Sequence, residues 1–324
     1  MGDKLTVGID LGGTKILAIV LDEKGAIKAR AKSDTPVDLG MEGIGKRMHE
    51  LADEALHGLE AGWESVQAVG IAVPSAVDQA TGVVLHAPAL GWKNLPARKV
   101  LDGIFKRAVA LDNDVNCGVL AEALRGAGKD CRCVVGYFVG TGTGGGIVID
   151  GRLHRGVRGC AGEFGHETIR YKGRRCGCGK RGCLEAYCSK TAFGKRLDRL
   201  LNRRGMKSCI AELMDGGDFS SLKSKVLAKA YRREDPVVCA VVDQGVRMLG
   251  VAVANMMALL APDCVVLGGG VMEAFGVELL PKVRASALKE LFGLKPDDLN
   301  LKLSVFGDDA VALGAALLPT LQAG

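Results

Sequence analysis

Five glycines and two threonines stand in one row, Gly140-Thr141-Gly142-Thr143-Gly144-Gly145-Gly146, after the apolar run Cys133 to Val139 and before Ile147-Val148-Ile149. A strand on each side, with no side-chain bulk between, is how a backbone turn presents N–H groups to an oxyanion. A smaller echo opens the chain: Val7-Gly8-Ile9-Asp10 runs into Leu11-Gly12-Gly13-Thr14-Lys15 and then the apolar stretch Ile16 to Leu21. A third cluster, Gly268-Gly269-Gly270, closes the apolar strand Cys264 to Leu267 and opens onto Val271-Met272. Three such turns suit a ligand with several phosphates and a purine. The alternative is tight hairpins in which glycine relieves strain, and it is strongest for Gly12-Gly13. Neither the P-loop nor the dinucleotide fingerprint fits, since both need a helix behind the glycines and strands or hairpins are expected here.

At 324 residues the chain has the length of two domains. Its apolar content of 48% and its 46 glycines point to a compact, loop-rich protein. The net charge of +6 comes from scattered lysines and arginines, densest at Lys172, Arg174, Arg175, Lys180 and Arg181. No basic helix or aromatic-interleaved face accompanies them, so no nucleic-acid partner is expected and an anionic substrate explains the charge. Met1-Gly2-Asp3-Lys4 has no basic-then-apolar leader and no run approaches a membrane span, which gives the expectation of a soluble, cytoplasmic protein. Eleven cysteines, an odd number in a long chain, favour reduced thiols.

Residues 5–33 read as a three-stranded meander, followed by a helix from Gly40 to Ala61 and a strand from Val66 to Val73. Val77-Asp78 and Val83 to Leu85 form a further strand, turn, strand unit. Pro88 to Trp92 reads as an irregular loop that brings an indole near the carboxylates, and Asn94 to Ile104 as a short helix. A strand from Arg107 to Leu111 stops at Asp112-Asn113-Asp114, and Val115 to Arg125 reads as a helix connecting domains. Helices are expected near 191–205, 220–232 and 236–260, a strand at 301–306, and a final helix from Ala310 to Leu318 capped by Asp308 or Asp309. The two Gly/Thr turns rhyme, as two similar domains facing a cleft would.

His166 is followed by Cys176, Cys178 and Cys183 in Cys-Gly-Cys-Gly-Lys-Arg-Gly-Cys. Three thiolates and an imidazole make a tetrahedral zinc set, and the glycines let a short chain wrap a small ion. Four protein ligands leave no open position, so the zinc is read as structural. The other eight cysteines lack this spacing and read as core or surface thiols.

Asp114 ends an apolar strand beside Asn113. A carboxylate there can accept a proton from a hydroxyl as its oxygen attacks phosphorus, and Asn113 can hold a neighbouring hydroxyl. The competing reading of Asp112-Asn113-Asp114 is a polar turn that caps the next helix. Glu163, three residues before His166, and Glu185, two after Cys183, are tethered to the metal loop as acceptors for sugar hydroxyls, or are solvated loop residues. His166 can ligate zinc through one ring nitrogen and reach substrate with the other.

Together these stretches resemble the ROK family of bacterial-type sugar kinases and regulators, within the actin- and hexokinase-like ATPase superfamily. The matching pieces are Asp10 to Lys15, Leu111 to Asn116, Gly140 to Gly146, Gly162 to His166, and Cys176 to Glu185, and the resemblance spans residue 5 to about 318. It implies an α/β fold of two actin-like (ribonuclease H-like) ATPase domains with an inter-domain cleft. The smaller is expected to span 1–118 plus 308–324, and the larger, with zinc loop and oligomerisation surface, 119–307. It also implies ATP and Mg²⁺ as cofactors, with Asp10 placing hydrated Mg²⁺, and Gly12, Gly13, Thr14 and Lys15 forming a first phosphate loop. Gly140, Thr141, Gly142, Thr143 and Gly144 would form the second, with Gly268, Gly269 and Gly270 flanking adenosine. Asp114 resembles the catalytic base, and Asn113, Glu163, His166 and Glu185 the sugar-binding set.

The implied reaction is in-line transfer of the ATP γ-phosphoryl to a hexose hydroxyl, glucose at its 6-hydroxyl first, by a homodimer or homotetramer. Two departures from the family pattern, Ser75 for glycine after Pro74 and Ala89 for asparagine, border the sugar in relatives and open the choice to N-acetylhexosamines, mannose, fructose or allose. Polyphosphate as donor is disfavoured because no concentration of cations stands around Gly12 or Gly140 in the sequence. A sugar-responsive regulator is disfavoured by the start of the first strand at Leu5 and by the presence of Asp114. A structural ATPase of the actin class would leave Asn113, Glu163 and the metal loop without a task.

Overall fold

The computed structural model describes residues 4–214 and 217–322; Met1 to Asp3, three of the four residues read as a terminus without a leader, lie outside the described residues. The chain divides into two compact units. The first holds the chain up to Arg125, Gly151–Ala161 and the chain from Asp309, and the second holds Gly126–Asp150 and Gly162–Asp308. Residues 119–125 and 151–161 therefore lie with the first unit, outside the expected 1–118 plus 308–324. The helix from Asp114 to Arg125 packs on the C-terminal helix so closely that a Cβ on Gly314 would sit 1.7 Å from the Cys117 carbonyl oxygen.

The first unit is built on a five-stranded sheet ordered β3-β2-β1-β4-β8, with β1 Leu5–Leu11, β2 Lys15–Leu21, β3 Ile27–Asp34, β4 Val66–Val73 and β8 Val109–Asn113. The expected meander is β1 to β3. β1, β4 and β8 run parallel, so their carboxyl ends share one edge, with Asp10 paired to Ala72 and Ala72 to Asp112. Helices α1 (Gly40–His57), α2 (Ala97–Phe105) and α3 (Asp114–Arg125) complete the βα units. The core is aliphatic, with Ile9, Ile44, Met48, Leu51 and Ile71 fully enclosed.

A second, three-stranded sheet joins β5 (Val77–Asp78), β6 (Val83–Ala87) and β7 (Trp92–Leu95). The sequence reading missed β7. Asn94 takes a positive φ and Pro96 follows, so helix α2 starts only at Ala97 rather than at Asn94. Trp92, expected in a loop near the carboxylates, is buried in the core of this unit.

In the second unit β9 (Cys133–Val139) and β10 (Thr143–Ile149) form a hairpin; β11 (Arg152–Leu153) is a short strand of the first unit's 151–161 segment. β9 continues to parallel β12 (Cys264–Gly268) and β13 (Leu301–Leu303). Helices α4 (Lys190–Leu201), the short α5 (Ile210–Leu213), α6 (Ser224–Arg232), α7 (Pro236–Leu260) and α8 (Gly270–Glu290) cover it, and α9 (Ala310–Gln322) returns to the first unit.

The expectation that no helix follows the glycine clusters fails at Gly270, which opens the 21-residue α8. Gly276, Pro281 and a non-helical Phe275 interrupt its pattern, which hid it in the sequence. Of the described helices, α7 alone is long and apolar enough to cross a membrane, and its most apolar stretch is 61% buried inside the protein.

Candidate active site

In the first unit the turn after β1 is closed by a Gly12 N–H bond to the Lys15 carbonyl at 2.9 Å. Thr35 pins it from the side: its hydroxyl donates to the Gly12 carbonyl at 2.8 Å and its N–H to that of Thr14 at 3.0 Å. Among the described residues, the N–H groups of Gly13 and Thr14 are left for a ligand. A Cβ on Gly13 would lie 2.7 Å from that of Ala89, so Ala89 packs on this turn. Lys15 lies in β2 with its ammonium 3.6 Å from Asp34, an exposed pair across the strands.

At the end of β8 the Asp112-Asn113-Asp114 turn caps the next helix, as the competing reading had it. The Asn113 Oδ1 accepts the N–H groups of Val115 at 2.9 Å and Asn116 at 3.1 Å, which caps α3. Its amide Nδ2 donates to the Asp114 Oδ1 at 2.8 Å, and Val115 N–H also donates there at 2.8 Å. Asp114 is thus oriented by two donors and half-buried.

Asp112 is almost wholly buried and accepts from Asn113 N–H, Asn116 Nδ2, Gln79 Nε2 and the Arg155 guanidinium. The sequence reading gave Arg155 no role, since forty-three residues separate it from Asp112 and no motif links them. Burial pushes the Cys117 thiol far up, and the fields of Asp112, Asp114 and Asp10 push it further. Asp10 and Asp112 flank Ala72 at the carboxyl ends of neighbouring parallel strands, and Asp114 follows two residues after Asp112.

In the second unit the long glycine row proves to be two things. Only Gly140 to Gly142 form a turn; Thr143 to Gly146 already belong to β10. The strand glycines admit a neighbour, since a Cβ on Gly145 would lie 2.1 Å from the Phe164 ring. One on Gly165 would lie 1.8 Å from the Thr143 carbonyl oxygen. They seat the 3-10 turn Phe164–His166 against the strand.

The turn itself is anchored on the start of α4: Lys190 N–H donates to the Gly140 carbonyl at 2.9 Å, and the Thr191 hydroxyl to that of Thr141 at 2.8 Å. Gly140 N–H bonds Gly142 and Thr143 N–H bonds Glu185, leaving, among the described residues, the N–H groups of Thr141 and Gly142. Both units use the same device of two consecutive open donors. The Thr143 hydroxyl is turned inward, donating to the Cys188 carbonyl. Gly144 lies within β10.

His166, Cys176, Cys178 and Cys183 bring their ligand atoms within 4.8 Å of one another. His166 Nδ1 lies 3.7 Å from Cys176 Sγ, and the sulfurs of Cys178 and Cys183 are 3.7 Å apart. Zinc–sulfur bonds of about 2.3 Å in a tetrahedron give edges of about 3.8 Å, so the donor set fits zinc in size and in chemistry. Glu185 stands beside this cluster, its Oε2 accepting Thr143 N–H at 3.1 Å and its Oε1 3.5 Å from Cys176 Sγ. Glu163 has an exposed side chain at the start of the 3-10 turn that carries His166.

Gly268, at the end of β12, pairs with Phe138, next to the residue that precedes the Gly140 turn, so the second and third clusters sit side by side. Gly269 has φ +82 and no room for a side chain against the Val139 backbone. Gly270 lies within reach of Ser224 at the start of α6.

The geometry defines an α/β chain of two sheet-and-helix units with open-donor turns at strand ends, the architecture of the actin-like ATPase fold. The ROK family model matches residues 6–321, and the chain belongs to the ROK family. It is 31% identical over 323 residues to a glucokinase of Halalkalibacterium halodurans, covering 99% of this chain and 97% of that one. An N-acetylgalactosamine kinase of Shewanella sp. is 32% identical, with 96% and 95% covered. The crystal structure of a ROK family glucokinase from Streptomyces griseus, in complex with glucose and AMPPNP, superposes with a TM-score of 0.83 at 32% identity, covering 99% of this chain and all of that one.

Proposed function

We propose that this ROK-family sugar kinase transfers the γ-phosphoryl of ATP to the 6-hydroxyl of glucose, with Asp114 as general base. The observation that carries the reading is the Glu185 to Thr143 hydrogen bond, which fixes a candidate sugar ligand to the strand residue that immediately follows a phosphate-type turn, within one unit. A phosphoryl group and an acceptor hydroxyl would be held by adjoining groups there.

Asp114 would take the hydroxyl proton as the oxygen attacks phosphorus, its carboxylate aimed by Asn113 Nδ2 and Val115 N–H. The second N–H of the Asn113 amide is then available to a sugar hydroxyl. Glu163, Glu185 and His166 would accept or donate to the remaining hydroxyls. The N–H pairs at Gly13-Thr14 and Thr141-Gly142 would bind phosphate oxygens, and the Gly268 to Gly270 segment would flank adenosine. Asp10 would hold hydrated Mg²⁺, whose positive charge would offset the charge that develops on the transferred phosphoryl group. Zinc on His166, Cys176, Cys178 and Cys183 would be structural, fixing the loop that carries Glu185.

A second sugar class is favoured by one pair of positions. The Ser75 hydroxyl is occupied, accepting His86 N–H and donating to the Ala76 carbonyl, each at 3.0 Å, and Ala89 presents only a methyl beside Gly13. Ala89 offers a sugar no polar group and the Ser75 proton is committed to a carbonyl, which makes an N-acetylhexosamine the runner-up. ADP release with ATP and Mg²⁺ over glucose, mannose, fructose, allose, N-acetylglucosamine and N-acetylmannosamine decides. Preference for glucose supports the first reading, preference for an N-acetylhexosamine replaces it, and no turnover with any sugar overturns both.

A further inference from the structure

Asp112 has no part in the proposed chemistry, yet it is the most heavily bonded carboxylate of the first unit's strand-end turn. Its side chain is only 3% exposed. Oδ1 accepts Asn113 N–H at 2.7 Å and Asn116 Nδ2 at 3.0 Å, and Oδ2 accepts Gln79 Nε2 at 3.3 Å and Arg155 Nε. Among the described residues Arg155 is the one cation within ion-pair distance of it. A buried carboxylate that loses its cation takes up a proton or moves, because the uncompensated charge costs more than the pair contributes. Either response disturbs what the other oxygen accepts.

Both donors to Oδ1 belong to the turn that presents Asp114. Asn113 N–H fixes the backbone there, and the Asn113 amide then donates to Asp114 Oδ1 at 2.8 Å. Asn116, itself buried, ties the first turn of α3 to the same Asp112 oxygen. The contacts therefore run in series from Arg155 through Asp112 and Asn113 to Asp114.

Arg155 is held in place without the ion pair. Ala161 N–H donates to its carbonyl at 3.0 Å, which closes the 155–161 loop. Gly159, at φ +70, seats that loop on β5, where a Cβ would lie 2.9 Å from the Val77 carbonyl oxygen. Gln79, the other donor to Oδ2, stands in the turn after β5 and is clamped by Arg98, whose Nη1 donates to the Gln79 carbonyl at 3.0 Å. The surroundings of β5 thus supply both Oδ2 donors, from outside β8 and α3.

We propose that Arg155 is a positioning residue for phosphoryl transfer: by holding Asp112 as a buried carboxylate it keeps the Asn113 side chain aimed at Asp114. The inference rests on the reading of Asp114 as general base and names the cation on which that base's geometry depends.

The test is a double-mutant cycle on the zinc-loaded full chain: Arg155→Ala, Asp112→Asn and both together, with Arg155→Lys beside them. The kcat and the KM values for sugar and ATP are measured on each, and urea unfolding reports that each is folded. Arg155→Ala should lower kcat by about tenfold to 100-fold, the cost of a misplaced group, with both KM values within about twofold of the parent. An amide at position 112 still accepts Asn113 N–H and needs no cation. The double variant should therefore recover most of the loss and match Asp112→Asn alone, and Arg155→Lys, which keeps the charge, should fall between Arg155→Ala and the parent.

A loss that persists undiminished in the Asp112→Asn background means that Arg155 acts on the reactants directly, and it overturns the proposal. A loss confined to the sugar KM also overturns it, since that marks a tether for the segment continuing to Glu163. Unchanged kinetics do the same. Where Arg155→Ala does not fold, the double variant decides: activity equal to Asp112→Asn supports the proposal and its absence removes it. Asp114→Asn in the same assay separates the two readings. Retained turnover there overturns the base assignment and this proposal with it, whereas lost turnover there with an unchanged kcat in Arg155→Ala overturns only the proposal.

Discussion

Glu185 accepts the backbone N–H of Thr143 at 3.1 Å while its other oxygen lies 3.5 Å from Cys176 Sγ, so one carboxylate spans the glycine turn and the metal loop. Glu185→Gln keeps the shape and removes the charge. Its expected effect is a rise in sugar KM of about tenfold or more with a far smaller change for ATP, since a hydrogen bond to a charged group is worth about 1.5–3 kcal/mol. Steady-state kinetics with each substrate varied in turn checks it, and equal shifts in both would place Glu185 outside the sugar set.

Asp114→Asn leaves a side chain of the same size that can still accept Val115 N–H through its oxygen. Sugar and nucleotide binding should survive, while turnover falls by about 100-fold or more, the usual weight of a general base. Retained turnover would remove Asp114 from that role.

Cys178 is exposed, so Cys178→Ser tests the metal rather than the fold. Zinc per chain and sugar affinity should fall together. A variant with full zinc content and normal affinity would show that the cluster does not hold the loop.

The glycine row predicts its own division. At Gly145 an added methyl meets the Phe164 ring, and Gly145→Ala should cost about 1–3 kcal/mol in urea unfolding, the range for overpacking. At Gly140 a Cβ would meet nothing within 4 Å, so Gly140→Ala should unfold like the parent and show any effect in the KM for ATP. Equal destabilisation at both positions would contradict the division into turn and strand.

Asp235 caps the long helix α7, its Oδ1 accepting Val237 and Val238 N–H at 3.0 Å each and its Oδ2 taking Ser208 Oγ and Cys209 N–H. Burial by itself pushes this carboxyl up, but the hydrogen bonds from Val238, Cys209 and Ser208 outweigh it and hold it below the ordinary value. A depressed folded-state pKa gives stability that is present above the unfolded value of about 3.9 and is lost as the pH falls through the folded one. Asp235→Ala should lower stability by about 1–2 kcal/mol at neutral pH. In a pH series of unfolding curves the gap to the parent should narrow below about pH 4.

What the sequence disclosed and what it withheld follow from how far apart the interacting residues lie. The meander of β1 to β3, α7 with its Pro236 start, and the clustering of His166 with Cys176, Cys178 and Cys183 are written in local spacing, and all were legible. The division of the Gly140 row was not, because the reason for Gly145 is a phenylalanine nineteen positions later. α8 was missed since Gly276 and Pro281 blur its period, and β7 because Trp92 to Leu95 is too short to show alternation. Arg155 beside Asp112 is a product of folding that no local pattern announces.

The C-terminal helix has a consequence for how the protein is made. Cβ atoms on Gly8 and Gly70 would come within 2.1 and 1.8 Å of the carbonyl oxygens of Ala312 and Ala315, so α9 lies directly on the backbone of β1 and β4. Synthesis delivers those strands first and their cover last. Until the ribosome has added residue 316, the part of the N-terminal sheet around Gly8 and Gly70 lacks the cover of α9. The nascent protein must carry that apolar surface through the translation of nearly everything else, which makes this face the natural client site for a chaperone and the place where a truncated chain would aggregate.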